Sequence, residues 1–142
     1  MQSFGVGRAL PEIKEVLKTY ADLPGVRTVG FLGAPAAAYQ QADIFVFPSI
    51  AEGSALVTYE AMACGLPVVT TPNAGSLVRD GVEGFIVPIR DPDALAERME
   101  RLRANARLRQ EMGRAARARA EQFTWEQHGQ ELAQLYTLEA IK

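Results

Sequence analysis

The sequence predicts an α/β fold in which a parallel sheet is flanked by helices. Short apolar segments of strand length alternate along the chain with longer segments whose apolar residues recur at helical spacing. The segment 45–48 (FVFP) is short, apolar and closed by proline, as a strand buried in a parallel sheet is. Because successive βα units connect by right-handed crossovers, helices should cover both faces of the sheet.

The first third of the chain predicts two strands and two helices. Residues 3–7 should form the end of a strand, and residues 11–21 a helix with apolar residues at helical spacing and a proline in the first turn. A turn follows, and residues 26–32 predict the second strand. The alanine-rich residues 35–42 predict a short helix before FVFP.

The middle of the chain predicts one helix and two further strands. The helix begins near Ala55, Gly65 lies just past its end, and Pro67 cannot continue it. The segments PVVTT (67–71) and FIVP (85–88) predict buried strands, and residues 72–84 predict a loop with at most one helical turn. Helical spacing places three residues on one face of the helix: Leu56, Tyr59 and Ala63.

The C-terminal third predicts three helices. Asp91 is a candidate N-cap for the first, the second should span about 106–122, and Thr124 is a candidate N-cap for the third. Apolar spacing predicts packing groups on the first helix (Leu95, Met99 and Leu102) and on the third (Trp125, Leu132, Leu135 and Tyr136).

Two glutamates with seven residues between them frame the turn into the central helix. Glu52 should lie on the loop after the FVFP strand and Glu60 about a turn into the helix, at the sheet edge where α/β folds bind ligands. The helix N-terminus carries roughly half a positive charge, so residues 53–56 suit a phosphate. Carboxylates beside a phosphate would repel it and are better interpreted as acceptors for hydroxyl groups, which sugars supply.

This region resembles the motif of the retaining nucleotide-sugar glycosyltransferases with the GT-B fold, the glycosyl transferase group 1 family. Further similarity lies in residues 26–33, 41–49, 80–88, 91–99 and 123–126, and the resemblance covers about residues 5–138. It implies a Rossmann-like sheet, the C-terminal half of a GT-B fold. The residues that match the central motif are Pro48, Ser49, Glu52, Gly53, Leu56, Glu60, Ala61, Met62, Ala63, Cys64, Gly65, Pro67, Val68 and Val69.

The resemblance also implies roles for individual residues. Glu60 would hold the ribose hydroxyls of the donor nucleotide, and Glu52, the candidate catalytic residue, would contact hydroxyls of the transferred sugar. The donor is a nucleotide-diphosphate sugar, and neither a metal nor another cofactor is implied. The other implied donor-binding residues are Gly53, Ser54, Ala55 and Leu56 beside the sugar and phosphates, and Leu32 and Gly33 beside the base.

Two departures from the family pattern leave the identity of the sugar open. Ser54 and Ala55 stand where the family usually has Phe-Gly, which makes the loop less apolar. The glutamate usual after Gly75 is also missing, and Ser76 and Arg79 occupy that stretch instead.

The resemblance further implies that residues 1–142 are one partial donor-binding domain, truncated at its N-terminal end. The acceptor-binding domain would be absent, and with it any membrane contact, so the fragment alone should be inactive. A truncated sheet would expose an apolar edge or face and invite self-association.

Composition places the chain among cytoplasmic α/β domains. The net charge of −2 offers no general attraction for nucleic acid, and the arginines of residues 98–119 alternate with glutamates, as on a solvated helical face. The single cysteine, Cys64, cannot form an internal disulfide and is expected to be a packing residue, which fits a reducing compartment. His128, the only histidine, is expected to face solvent.

Two alternatives stay open at this stage. One is a nucleotide-sugar epimerase of the same fold, although the helix that carries Glu60 favours a transferase. The other is a non-catalytic module that binds a nucleotide or a protein partner.

Overall fold

The computed structural model describes residues 3–6, 18–19, 23–30, 33 and 35–139. The chain divides into two compact units, Met1–Pro35 and Ala36–Lys142. In the first unit, β1 (Ser3–Val6) pairs in parallel with β2 (Val26–Gly30), as predicted. The helix expected at residues 11–21 lies outside the described residues except for 18–19, which are helical.

The second unit is built on a parallel sheet of three strands in the order β3-β4-β5. The strands are β3 (Phe45–Phe47), β4 (Val68–Thr70) and β5 (Gly84–Ile86). The helices are α1 (Ala36–Gln40), α2 (Leu56–Ala63), α3 (Pro92–Ala104), α4 (Ala106–Ala120) and α5 (Trp125–Glu139), and Pro72–Ala74 form one 3-10 turn.

The central strand, β4, is buried along its whole length. Successive side chains of a strand point to opposite faces, and Val68 and Val69 accordingly belong to two different hydrophobic clusters. The cluster of Val68 includes Met62 from α2, and the cluster of Val69 includes Leu102 from α3. Helices therefore pack on both faces, which confirms the predicted parallel sheet flanked by helices.

The C-terminal end of α2 is a Schellman motif. Gly65 adopts a left-handed φ of +79° and its amide donates to the Met62 carbonyl at 2.9 Å, while the Leu66 amide donates to the Ala61 carbonyl at 3.1 Å. The sequence predicted that Gly65 would lie just past the end of this helix. The sequence did not indicate that α4 approaches this turn closely: a Cβ on Gly113 would lie 2.3 Å from the Gly65 carbonyl oxygen.

The buried face of α2 differs from the prediction. Thr58, Ala61 and Met62 are buried, whereas Leu56 is 52% exposed. Thr58 is accommodated because its hydroxyl donates to the Ala55 carbonyl at 2.7 Å, which satisfies the polar atom. Cys64 is exposed at the C-cap of the helix, so its interpretation as a packing residue was wrong.

The helix N-caps of the C-terminal third are confirmed. Asp91 Oδ1 accepts from the Ala94 amide at 2.9 Å. Thr124 Oγ1 accepts from the Gln127 amide and Gln127 Oε1 from the Thr124 amide, both at 3.2 Å, which is a capping box.

The apolar stripe of α5 is exposed in the described part of the chain. Four residues predicted to pack are 40–74% exposed: Trp125, Leu132, Leu135 and Tyr136. Periodicity identifies such a stripe but not its partner, and within the described part of the chain nothing covers it. None of the described helices is long and apolar enough to span a bilayer.

Some arginines of α3 and α4 form ion pairs with glutamates close by in the sequence, as the alternation of the two residue types indicated. Arg103 contacts Glu100 at 2.6 Å, and Arg107 contacts Glu111 at 2.7 Å.

Candidate functional site

The two glutamates lie where the sequence placed them. Glu52 is on the loop that follows β3, and Glu60 is the fifth residue of α2. Both residues are exposed. The loop leaves the carboxyl end of a parallel strand, the edge at which α/β sheets bind ligands.

A second loop fixes the backbone around Glu52. Asn73, in the turn after the neighbouring strand β4, donates from Nδ2 to the Ile50 carbonyl at 2.8 Å and accepts at its own carbonyl from the Glu52 amide at 2.9 Å. The Thr71 hydroxyl donates to the Ser49 carbonyl. The loop of Glu52 is therefore held in place by hydrogen bonds from the next strand of the sheet.

Gly75 allows the closest approach between these two loops. It adopts a left-handed φ of +58°, and a Cβ at this position would lie 2.1 Å from the Gly53 carbonyl oxygen. No role for Asn73 or Gly75 was predicted from the sequence, although the turn residues PNAG after a buried strand indicate a turn here.

The N-terminus of α2 has no side-chain cap. Its N-cap is Ala55, and the first turn contains no acidic residue. The amide of Ala55 donates to the Ala74 carbonyl at 3.2 Å, but the amides of Gly53 and Ser54 have no acceptor among the described residues. Uncompensated amides and the positive end of the helix dipole make this turn suitable for an anion.

A cleft of about 350 Å³ lies between α2 and the start of α5. Three of the predicted site residues line it: Ser54, Leu56 and Glu60. The opposite wall comes from the chain around the capping box, and its role was not foreseen. The other lining residues are Tyr59, Gln122, Phe123, Thr124, Trp125, Gln127, His128 and Glu131.

The remaining predicted site residues are not brought into this cleft. Glu52 and Gly53 are exposed on the loop, and Ala55 is buried beside the loop of Ala74. Gly33 is exposed in the first unit, and Leu32 lies outside the described residues. The cleft therefore brings Glu60 together with Ser54 and Leu56. The roles of the other predicted site residues stay predictions.

Tyr39 is a site residue that the sequence analysis missed. Tyr39 belongs to α1, and its hydroxyl donates a hydrogen bond of 3.0 Å to Glu60 Oε2. Its ring packs edge-on against Phe45, with the ring centres 5.6 Å apart. Burial of the phenol, followed by its hydrogen bond to Glu60 and the nearby charges, raises the pKa of Tyr39 far above its usual value. The phenol therefore stays protonated and acts as a donor to Glu60.

Arg79, one of the two residues that replace the usual glutamate, is committed to an ion pair. Its backbone amide and its Nε donate to the buried Glu83 carboxylate at 2.8 and 2.9 Å, and Nη2 also contacts this carboxylate. Burial of Glu83 opposes its ionisation, but the hydrogen bonds from Arg79 outweigh burial and hold the pKa of Glu83 below its usual value. This pair stabilises the loop before β5.

His128 is exposed, as predicted, and its ring lies 6.1 Å from that of Trp125 on the wall of the cleft. Among the residues that the structure describes, no cluster of histidine, cysteine, aspartate and glutamate could hold a metal ion.

The chain is similar in sequence to known glycosyltransferases. The sequence model of the family "Glycosyl transferases group 1" matches residues 3–105. The D-inositol 3-phosphate glycosyltransferase of Paenarthrobacter aurescens is 42% identical over 91 residues, which are 62% of this chain and 22% of that protein. The capsular polysaccharide biosynthesis glycosyltransferase CapM of Staphylococcus aureus is 36% identical over 111 residues, 73% of this chain and 29% of that protein.

Solved structures share the fold over nearly the whole chain. Sucrose-phosphate synthase of Thermosynechococcus elongatus matches with a TM-score of 0.85 and 31% identity, over 99% of this chain and 39% of that one. HepE of Anabaena in complex with UDP matches with a TM-score of 0.87 and 26% identity, over 96% of this chain and 41% of that one. The chain thus spans about a quarter of the curated relatives and about two fifths of these structures. It belongs to the glycosyl transferase group 1 family and has the parallel sheet and flanking helices of the GT-B glycosyltransferases.

Proposed function

We propose that this chain is the donor-binding part of a retaining glycosyltransferase whose donor is a nucleotide-diphosphate sugar. The observation that carries the proposal is the placement of Glu60 in an open cleft, on a helix preceded by the amides of Gly53 and Ser54, which have no acceptor in the described part of the chain. HepE, which shares the fold, binds UDP and UDP-glucose. The epimerase alternative receives less support, because the family and the curated relatives quoted above are named for glycosyl transfer.

In this proposal each part of the donor has a partner of suitable chemistry. The ribose hydroxyls donate to the Glu60 carboxylate, and the diphosphate accepts from the amides of Gly53 and Ser54. Glu52 accepts from hydroxyls of the transferred sugar, while the base contact expected of Leu32 and Gly33 stays a prediction from the sequence. Negative charge develops on the leaving diphosphate during transfer, so the α2 N-terminus lowers the barrier by electrostatic stabilisation without a metal ion.

The chain should bind the donor without turning it over. It holds one side of a site whose second side, in a transferase several times its length, comes from other residues. The donor belongs to the cytoplasmic pool of nucleotide sugars, and its base, its sugar and the acceptor are left open.

Titration of the isolated chain with UDP, monitored by ligand-observed NMR, tests the proposal. We expect the wild-type chain to bind UDP saturably in the millimolar range. Glu60→Ala should weaken this binding about tenfold, because it removes a hydrogen bond to an exposed charged acceptor. Glu97→Ala removes an exposed carboxylate from α3, away from the cleft, and should bind like the wild type. Absence of wild-type binding, or equal affinities for Glu60→Ala and the wild type, would overturn the proposal.

A further inference from the structure

The carboxylate of Glu60 has one hydrogen-bond donor within the described chain, the hydroxyl of Tyr39. The Oη to Oε2 distance is 3.0 Å, and the two residues are 21 positions apart. Tyr39 lies on α1, outside the segment that contains the two glutamates. The contact therefore joins a separate helix to the residue that the proposed function places against ribose.

The two partners differ sharply in burial. Tyr39 is 9% exposed, belongs to the hydrophobic cluster of Ala61 and Met62, and packs against Phe45. A buried aromatic ring is locked in one rotamer by its neighbours. Glu60 is exposed and has three side-chain torsions, so without a partner its carboxylate would distribute among several rotamers. The rigid phenol therefore selects the orientation of the flexible acid.

We propose that Tyr39 is a positioning residue for recognition of the ribose diol, acting through Glu60. This inference rests on the proposed function, in which Glu60 accepts hydrogen bonds from ribose. Tyr39 engages Oε2 from the protein side and leaves the other carboxylate lone pairs for hydroxyl donors in the cleft. Because the hydrogen bond from Tyr39 already orders the Glu60 side chain in the free protein, donor binding does not incur the entropy cost of ordering it. Tyr39 itself need not touch the ligand.

The effect of Tyr39 should depend on the ribose hydroxyls. We expect Tyr39→Phe to weaken UDP binding about three- to tenfold, the range for loss of one hydrogen bond. The same variant should bind 2′,3′-dideoxyuridine diphosphate with the affinity of the wild type, since this ligand has no diol for Glu60 to accept from. Tyr136→Phe removes a phenol hydroxyl from the exposed face of α5, outside the cleft, and should leave both affinities unchanged.

Three measurements separate this inference from its premise. If Tyr39→Phe weakens both ligands equally, Tyr39 has a structural role only, and if it weakens neither, the inference fails while the proposed function stands. If the wild type binds UDP no more tightly than the dideoxy ligand, the ribose role of Glu60 fails as well. In the Glu60→Ala background, adding Tyr39→Phe should leave UDP affinity unchanged, and a further loss there would also overturn the inference.

Discussion

The close contact between α4 and the end of α2 gives a stability prediction with an internal control. Gly113 lies inside α4, and a Cβ there would meet the Gly65 carbonyl oxygen at 2.3 Å. Gly129 lies inside α5, and a Cβ there would have nothing within 4 Å. The substitutions Gly113→Ala and Gly129→Ala therefore make the same chemical change in two helices with opposite surroundings.

The expected magnitudes follow from these two distances. Replacing an interior helical glycine by alanine favours the helix by up to about 1 kcal/mol in both cases. At Gly113 the backbones must also separate by about 1 Å to reach an ordinary carbon–oxygen contact, and overpacking of this kind costs about 1–3 kcal/mol. The shared helix term cancels in the comparison, so Gly113→Ala should be less stable than Gly129→Ala by about 1–3 kcal/mol.

Urea unfolding followed by circular dichroism measures this difference directly. We expect Gly129→Ala to raise the urea midpoint of unfolding or leave it unchanged. The midpoint of Gly113→Ala should be lower than that of Gly129→Ala, with the same dependence of the unfolding free energy on urea concentration. In thermal scans the gap corresponds to about 2–4 °C per kcal/mol for a domain of this size. Equal stabilities of the two variants would show that α4 does not approach the Gly65 turn, and the packing of α4 on α2 would need to be revised.

Three further predictions concern the second unit. Leu102→Ala, in a side chain with 0% exposure, should reduce the free energy of unfolding by about 2–5 kcal/mol in urea titrations, and a smaller loss would argue against its burial. Because the folded pKa of Glu83 lies below its usual value of 4.5, its pairing with Arg79 stabilises the fold fully above that value and is lost as the pH falls through the folded pKa. Glu83→Gln should therefore flatten the decline in stability as the pH falls below about 4.5, and an unchanged slope would contradict the pairing. Gly75→Ala places a Cβ 2.1 Å from the Gly53 carbonyl oxygen, so it should both destabilise the protein by about 1–3 kcal/mol and weaken UDP binding, and a variant that binds UDP normally would separate this loop from the site.

Local signals in the sequence were sufficient for much of the fold. The proline-bounded apolar strands, the glycine after α2 and the caps Asp91 and Thr124 are short-range features, and each is found where its physical chemistry places it. The position of Glu60 followed from the same reasoning, because a strand, a turn and a helix in succession place the second acid on the helix.

Features that depend on distant residues could not be read from one segment. The hydrogen bond between Tyr39 and Glu60 joins residues on different helices, and the fit of Gly75 against Gly53 joins the ends of two strands. The prediction that Trp125 packs against the core was wrong for a different reason. A periodic apolar stripe indicates that another surface should cover it, but it does not identify that surface.

Chemical-shift mapping along the backbone can show whether a nucleotide binds at the start of α2. In a ¹⁵N-labelled chain titrated with UDP, we expect the largest saturable amide shifts at Gly53, Ser54 and Glu60. Shifts confined to the arginine-bearing faces of α3 and α4, or an unchanged spectrum around α2, would contradict this expectation.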